Sequence, residues 1–123
     1  MKLKIKRVYE KPGGRAEFRV LVDRLWPRGL TKRSAAIGLW MKEAAPSNEL
    51  RRWFHADKAG RLTEFKKRYR KELAGSPVLA RLERVFKKKS GAVLVTAVKD
   101  IKRSHVPVLM KALHTRHSPI GRD

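Results

Sequence analysis

Residues 18–29 contain the feature that constrains the fold most, an apolar run that stops abruptly at charged side chains. Residues 20–22 are Val-Leu-Val, which is typical of a strand covered on both faces. Asp23 and Arg24 follow directly, at the carboxyl end of this predicted strand. Because open α/β sheets bind ligands at the carboxyl ends of their strands, a site is expected here.

A second apolar run repeats this pattern later in the chain. Residues 92–98 are predicted to form the most buried strand, and Lys99 and Asp100 follow it. We expect the two strands to lie side by side and to bring their terminal polar groups into one shared cleft.

The first predicted strand covers residues 2–9, where lysines alternate with apolar side chains as they do at or near the edge of a sheet. Pro12-Gly13-Gly14 breaks it. Only about eight residues lead to the next strand, fewer than a parallel crossover usually needs. A hairpin is therefore the first interpretation, and a compressed parallel connection is the alternative.

Helical patterns fill most of the remaining chain. Ser47 is a predicted N-cap for a helix with Leu50, Trp53 and Phe54 on one face. Similar apolar spacing predicts helices over residues 62–73, over residues 78–86 and from Ser104 onward, and a short helix or turn over residues 37–41.

These elements predict an α/β fold, a small mixed or parallel sheet of about three to four strands flanked by helices. Residues 1–114 are expected to form one domain, and residues 115–123 a basic flexible tail. The pattern does not predict an oligomeric state.

The charge balance limits the kinds of partner. Among 123 residues, 32 are Lys or Arg and 11 are Asp or Glu, which gives a formal charge of +21. Such a field attracts polyanions, so nucleic acid is a candidate partner, although spread lysines also keep small proteins soluble. The chain contains no cysteine and no apolar run long enough for a membrane span, and we expect a cytoplasmic protein without a membrane partner.

Three residues are candidates for proton transfer: Asp23, Asp100 and His105. Arg24 and Arg28 are candidates to bind an anion, because guanidinium groups grip carboxylates and phosphates through paired hydrogen bonds. The alternative is an internal ion-pair network that closes the end of the sheet.

Further candidate ligand-binding residues flank these positions. Ser104, next to His105 and shortly after Lys99, marks a helix N-terminus that suits an anion, or simply a helix cap. Lys42, Ser47, Arg51 and His55 are placed to face the same cleft, although a histidine beside aromatic residues is commonly packed.

Motifs for other chemistry are weak or absent. His114 and His117 have metal-ligand spacing, but no acid or thiol accompanies them, and no metal site is predicted. The chain has no phosphate-binding glycine loop, no dinucleotide fingerprint and no helix-turn-helix signature, and the sequence leaves the cofactor unknown.

The run Arg19-Val-Leu-Val-Asp-Arg-Leu-Trp-Pro-Arg-Gly29 closely resembles the signature of the domain of unknown function 488 family, in its short single-domain branch. Further matches follow in order along the chain, namely Arg7-Val8-Tyr9, Lys32, Trp40 with Lys42, Ala45-Pro46-Ser47, Leu50-Arg51, Trp53-Phe54-His55, Phe65, Arg68-Tyr69, Glu72-Leu73, Lys99-Asp100 and His105.

The resemblance implies an α/β fold in which Asp23-Arg24 and Lys99-Asp100 lie near each other. It implies no reaction, because the family has none assigned. Arg103 and Ser104 stand where the family usually has a histidine and an asparagine, which weakens any acid–base role built on His105.

The sequence therefore supports one leading function and two alternatives. The leading hypothesis is a protein that binds or processes a small phosphate- or carboxylate-bearing ligand at the strand ends. The alternatives are a nucleic-acid-binding protein that acts through its basic surface, and a strand-end signature that is purely structural.

Overall fold

A parallel sheet of four strands forms the centre of the computed structural model, which describes residues 3–14 and 17–117. The strands are β1 (Ile5–Arg7), β2 (Phe18–Leu21), β3 (Ile37–Trp40) and β4 (Ala92–Thr96), in the spatial order β1-β4-β2-β3. All three pairings are parallel. The predicted α/β fold with a small sheet is confirmed.

The predicted hairpin between the first two strands is wrong, because β4 lies between them. Leu94 of β4 faces Ile5 on one side and Val20 on the other. Every residue of β4 is buried, whereas β1 carries lysine and arginine and is only partly buried. The most apolar strand therefore takes a central position, and β1 becomes an edge strand that is parallel to β2 but not adjacent to it.

Among the five α-helices of the described residues, four cover one face of this sheet. The helices are α1 (Lys32–Ala35), α2 (Asn48–His55), α3 (Lys58–Ala74), α4 (Val78–Lys88) and α5 (Val106–His117). Side chains of α2 to α5 form one core with Val20, Val22 and Leu94 of the sheet. The opposite face, with Leu21 and Val95, is covered by α1 and by connecting segments that contribute Trp26 and Leu30.

The short helix predicted over residues 37–41 is wrong, because this segment is the edge strand β3. The pairing with β2 shifts by one residue at Gly38, as in a β-bulge. A side chain at position 38 would run into the ring of Phe18, so glycine permits a close approach of the two strands. The local pattern did not distinguish a bulged strand from a helical turn.

The ends of the helices agree more closely with the predictions made from the sequence. The hydroxyl of Ser47 accepts a hydrogen bond from the backbone N–H of Leu50, which confirms the predicted N-cap. Pro107 lies in the first turn of α5, where proline is tolerated. Helix α5 continues to His117, so it includes residues 115–117 of the predicted tail. The rest of that tail lies outside the described residues.

In the described part of the chain, no helix combines the length and apolar content that a bilayer crossing requires.

The left-handed backbone conformation of Ala36 can be tested by substitution. This residue ends α1 with φ 52° and ψ 42°, a left-handed conformation that costs a residue with a Cβ about 1 kcal/mol. Ala36→Gly is therefore expected to raise the free energy of unfolding by about 1 kcal/mol. Urea denaturation measures this change.

Ala56 is a matched control, because it ends α2 at φ −68°. Ala56→Gly should be slightly destabilising, since glycine gains nothing at negative φ and loses more entropy on folding. A stabilising Ala56→Gly, or a destabilising Ala36→Gly, would contradict the assignment.

Candidate functional site at the strand ends

The Asp23 carboxylate joins the carboxyl ends of two neighbouring strands. One oxygen accepts a hydrogen bond from the hydroxyl of Thr96 at 2.7 Å, and the other accepts one from the backbone N–H of Ala97 at 2.7 Å. The backbone carbonyl of Asp23 also accepts a hydrogen bond from the indole N–H of Trp40 at 2.8 Å. Asp23 therefore connects β2 with residues at or just beyond the ends of β4 and β3.

His105 connects the same point to the start of α5. Its Nε2 lies 2.9 Å from the backbone carbonyl of Val22 and 3.6 Å from a carboxylate oxygen of Asp23. Because a carbonyl only accepts hydrogen bonds, Nε2 carries the proton. Burial lowers the pKa of His105, and this effect exceeds the opposing effects of Asp23 and the Val22 carbonyl. The imidazole is therefore neutral at neutral pH.

Tyr69 completes the buried cluster from α3. Its ring meets the His105 ring edge-on, with centroids 5.9 Å apart, and its hydroxyl donates to the backbone carbonyl of Ala44. Burial, reinforced by the negative charges of Glu72 and Asp23, raises the pKa of Tyr69 far above its ordinary value. Tyr69 therefore stays protonated and serves as a hydrogen-bond donor within the fold.

Two predicted ligand-binding residues hold the segment between β3 and α2. The Arg24 guanidinium donates to the backbone carbonyls of Ala45 at 3.2 Å and of Pro46 at 3.2 and 3.4 Å. Ser47 donates from its backbone N–H and its hydroxyl to the Glu72 carboxylate, at 2.9 and 2.7 Å. These polar groups are thus already bound to other parts of the chain.

Ser104 lies two residues before the start of α5 and stabilises the turn that leads into this helix. Its hydroxyl donates to the carbonyl of Ile101 at 2.7 Å and accepts from the N–H of Val106 at 3.2 Å. The hydroxyl therefore has partners on both sides of the turn that leads into α5.

The other predicted residues lie outside this cluster. Asp100 and Lys99 are exposed, and Asp100 is 3.9 Å from Arg103. The side chain of Arg28 is exposed, and the ammonium group of Lys42 lies 4.5 Å from the centre of the Trp40 ring.

Arg51 and His55 lie on α2. Arg51 is half-buried, and its buried Nε has no hydrogen-bond partner within the described residues. His55 is exposed, and partial desolvation together with the positive charges of Lys58 and Arg51 lowers its pKa.

Sequence reasoning missed Thr96, Glu72 and the role of Tyr69. Thr96 ends an apolar strand, which is a weak signal for a buried polar contact. Its partner Asp23 is 73 residues away, and Glu72 is 25 residues from Ser47. No local spacing links residues so far apart.

Within residues 3–14 and 17–117, no group of three or more His, Cys, Asp or Glu side chains is arranged to hold a metal ion. Asp23 and His105 have only 9% and 8% of their surface exposed, and Thr96 and Tyr69 have none. The cluster is thus a buried polar junction, in which most of the hydrogen-bonding groups are already paired.

The fold and this junction define a small parallel α/β protein whose strand ends are closed by internal hydrogen bonds. A family model described as "Inactive DUF488-N3 subclade" matches residues 2–119. The chain therefore belongs to the domain of unknown function 488 family, as the resemblance indicated.

Two relatives extend this result. An uncharacterised protein of Mycobacterium tuberculosis strain H37Rv, Rv3073c, is 41% identical over 115 residues, which are 94% of this chain and 96% of the relative. The uncharacterised protein YeaO of Escherichia coli K12 is 37% identical over 109 residues, which are 89% of this chain and 94% of the relative. No solved structure matches the chain.

The Asp23 junction is tested by Asp23→Asn. The variant replaces one carboxylate oxygen with an NH2 group, which faces either the Ala97 N–H, a donor only, or the Thr96 hydroxyl, which would have to rotate and stop donating to residue 23. We expect the free energy of unfolding to fall by about 2–3 kcal/mol. Urea denaturation at pH 7 measures the loss.

Asp57→Asn is the matched control, because Asp57 caps α3 by accepting from the N–H of Gly60 and asparagine caps equally well. Its stability should change by less than about 0.5 kcal/mol. If Asp23→Asn were as stable as Asp57→Asn, the Asp23 carboxylate would not stabilise the fold, and a ligand-binding role would gain support.

His105 makes stability depend on pH in a predictable direction. Because burial lowers its pKa in the folded state, the unfolded chain takes up the proton first as the pH falls below about 6.5. The contribution of His105 to the free energy of unfolding is therefore complete above that pH. Below it, this contribution is lost by up to about 1.4 kcal/mol per pH unit.

Urea midpoints between pH 5 and 7 should show a shallower decline for His105→Gln than for the unmodified protein. His55 also has a lowered pKa but is exposed, so His55→Gln should remove a smaller share of the slope. A slope unchanged in His105→Gln would show that His105 does not control this dependence.

Proposed function

We propose that this protein binds nucleic acid without catalysis, through exposed cations on α3. The observation that carries this proposal is a basic band on that helix, formed by Lys66, Lys67, Arg70 and Lys71. These residues fall on two successive turns, so the two pairs are about 6 Å apart along the helix axis. Glu64 lies one turn before Lys67, but its carboxylate is bound by Arg68 at 3.0 Å. The side chains of the band are exposed or half-buried.

Few acids are available to neutralise this surface. The chain has 32 Lys and Arg residues and 11 acids. Glu17 is bound by Lys6 and Arg19, Glu64 by Arg68, and the Glu72 carboxylate by Ser47. When the remaining cations neutralise phosphates, counterions condensed on the nucleic acid are released, and their gain in entropy is the main source of non-specific affinity.

The strand-end junction favours binding over catalysis. General acid–base chemistry requires a proton-transfer group within reach of a substrate. Asp23 and His105 are buried, and both are close to protein partners. The description of the matching family model as an inactive subclade agrees with a non-catalytic role.

A small phosphate- or carboxylate-bearing ligand at the strand ends is our second proposal. The buried Nε of Arg51 favours it, since this group has no hydrogen-bond partner among the described residues. It ranks second because Arg24 and Ser47, which would share the ligand, already bind backbone and Glu72. A small stability cost of Asp23→Asn would move it to first place.

The leading proposal predicts a specific response to charge reversal. A fluorescent DNA duplex of about 20 base pairs should bind with an affinity that falls steeply with salt, as followed by fluorescence anisotropy. Lys67→Glu with Lys71→Glu should weaken binding by about tenfold or more and should reduce the salt slope by about two.

Lys32→Glu with Arg33→Glu is the matched control. It changes the charge equally, but on exposed residues of α1, which covers the opposite face of the sheet. This variant should retain most of the affinity. Equal losses of DNA affinity in the two double variants would show that binding depends on net charge rather than on the band. The absence of DNA binding at low salt would refute the proposal.

A further inference from the structure

A groove of about 620 Å³ runs between α3 and α5 and reaches the start of α4. Its floor is aliphatic and includes Leu73, Leu79, Val108 and Ala112. Its rim carries Lys66 and Arg70 from α3, and Lys111 and Arg116 from α5. The groove thus combines an apolar floor with positive charge on both sides.

We propose that this groove docks an acidic amphipathic helix of a partner protein. Along α5 it extends from Pro107 to Arg116, a rise of about 13 Å, which matches between two and three turns of a partner helix. A helix with apolar side chains on one face would bury them on the floor. Acidic side chains beside that face would meet the cations of the rim.

The charges of the groove favour an acidic partner specifically. No acidic residue lines it among the described residues. Arg116 is paired with Glu83 at 3.5 Å. Within residues 3–14 and 17–117, Lys66, Arg70 and Lys111 make no ion pair of their own, so a partner's carboxylates would supply one.

The floor favours a peptide over nucleic acid. Single strands commonly bind through bases stacked on aromatic rings, and the groove has no aromatic lining residue in the described chain. A duplex presents charged phosphates, which gain nothing from an aliphatic floor. The groove therefore borders the basic band and shares Lys66 and Arg70 with it, but its aliphatic floor offers apolar contacts that a nucleic-acid duplex does not use.

A displayed library of helical peptides of about 15 residues provides the test. Selection against the full chain should enrich sequences with apolar residues at helical spacing and with Asp or Glu on both sides of them. The affinity of the enriched peptides is then measured by fluorescence anisotropy with two groove variants, Ala112→Phe and Lys111→Glu.

Ala112→Phe fills the floor without changing charge, and Lys111→Glu reverses one rim cation. Each should weaken peptide binding by about tenfold or more, whereas Lys87→Glu, an exposed position on α4 outside the groove, should leave it within about twofold. Urea midpoints close to that of the unmodified protein would show that the variants are folded, and DNA binding should survive Ala112→Phe.

Three results would overturn the proposal. The first is a selection that enriches no acidic amphipathic sequence. The second is an enriched peptide that binds both groove variants as tightly as the unmodified protein. The third is a peptide that loses affinity with Lys67→Glu and Lys71→Glu but not with Ala112→Phe, which would place it on the basic band.

Discussion

The rest of the structure depends on the hydrogen bonds that the Asp23 carboxylate accepts where β2 ends. A buried carboxylate is stable only when donors surround it, and here the donors come from residues that end or follow β4. His105 brings the start of α5 to the same point. Asp23 therefore fixes β2 relative to β4, and His105 fixes the last helix to β2 through the Val22 carbonyl, although these elements are far apart in the chain.

Arg19 has a comparable role at the start of β2, on the face that has few helices. Its guanidinium is almost fully buried and donates to the backbone carbonyls of Val8, Glu10 and Ala35. These bonds hold the segment after β1 and the end of α1 over the sheet. Arg19 in β2 and Asp23 just beyond its end are thus both buried and charged, and each bonds to backbone groups that would otherwise lie buried without partners.

Charge is divided between the interior and the surface according to its partners. The buried charges are few and hydrogen-bonded, whereas most lysines and arginines lie on exposed faces of the helices. The proposed binding surfaces, the basic band and the groove between α3 and α5, lie on this helical layer. The strand-end junction, which contains residues of the family signature, lies apart from these surfaces and stabilises the fold.

The sequence by itself determined the α/β class, the central apolar strands, the long helices and the family, because periodicity and capping depend on residues close together in the chain. It also placed Asp23 at the carboxyl end of a central strand. Only the tertiary structure decided that β4 separates β1 from β2 and that residues 37–40 form a strand. It also decided that Asp23 bonds to Thr96 and that Ser47 bonds to Glu72. Each of these contacts joins residues far apart in sequence. Only the tertiary structure determines which polar groups are buried, and buried polar groups must find hydrogen-bond partners.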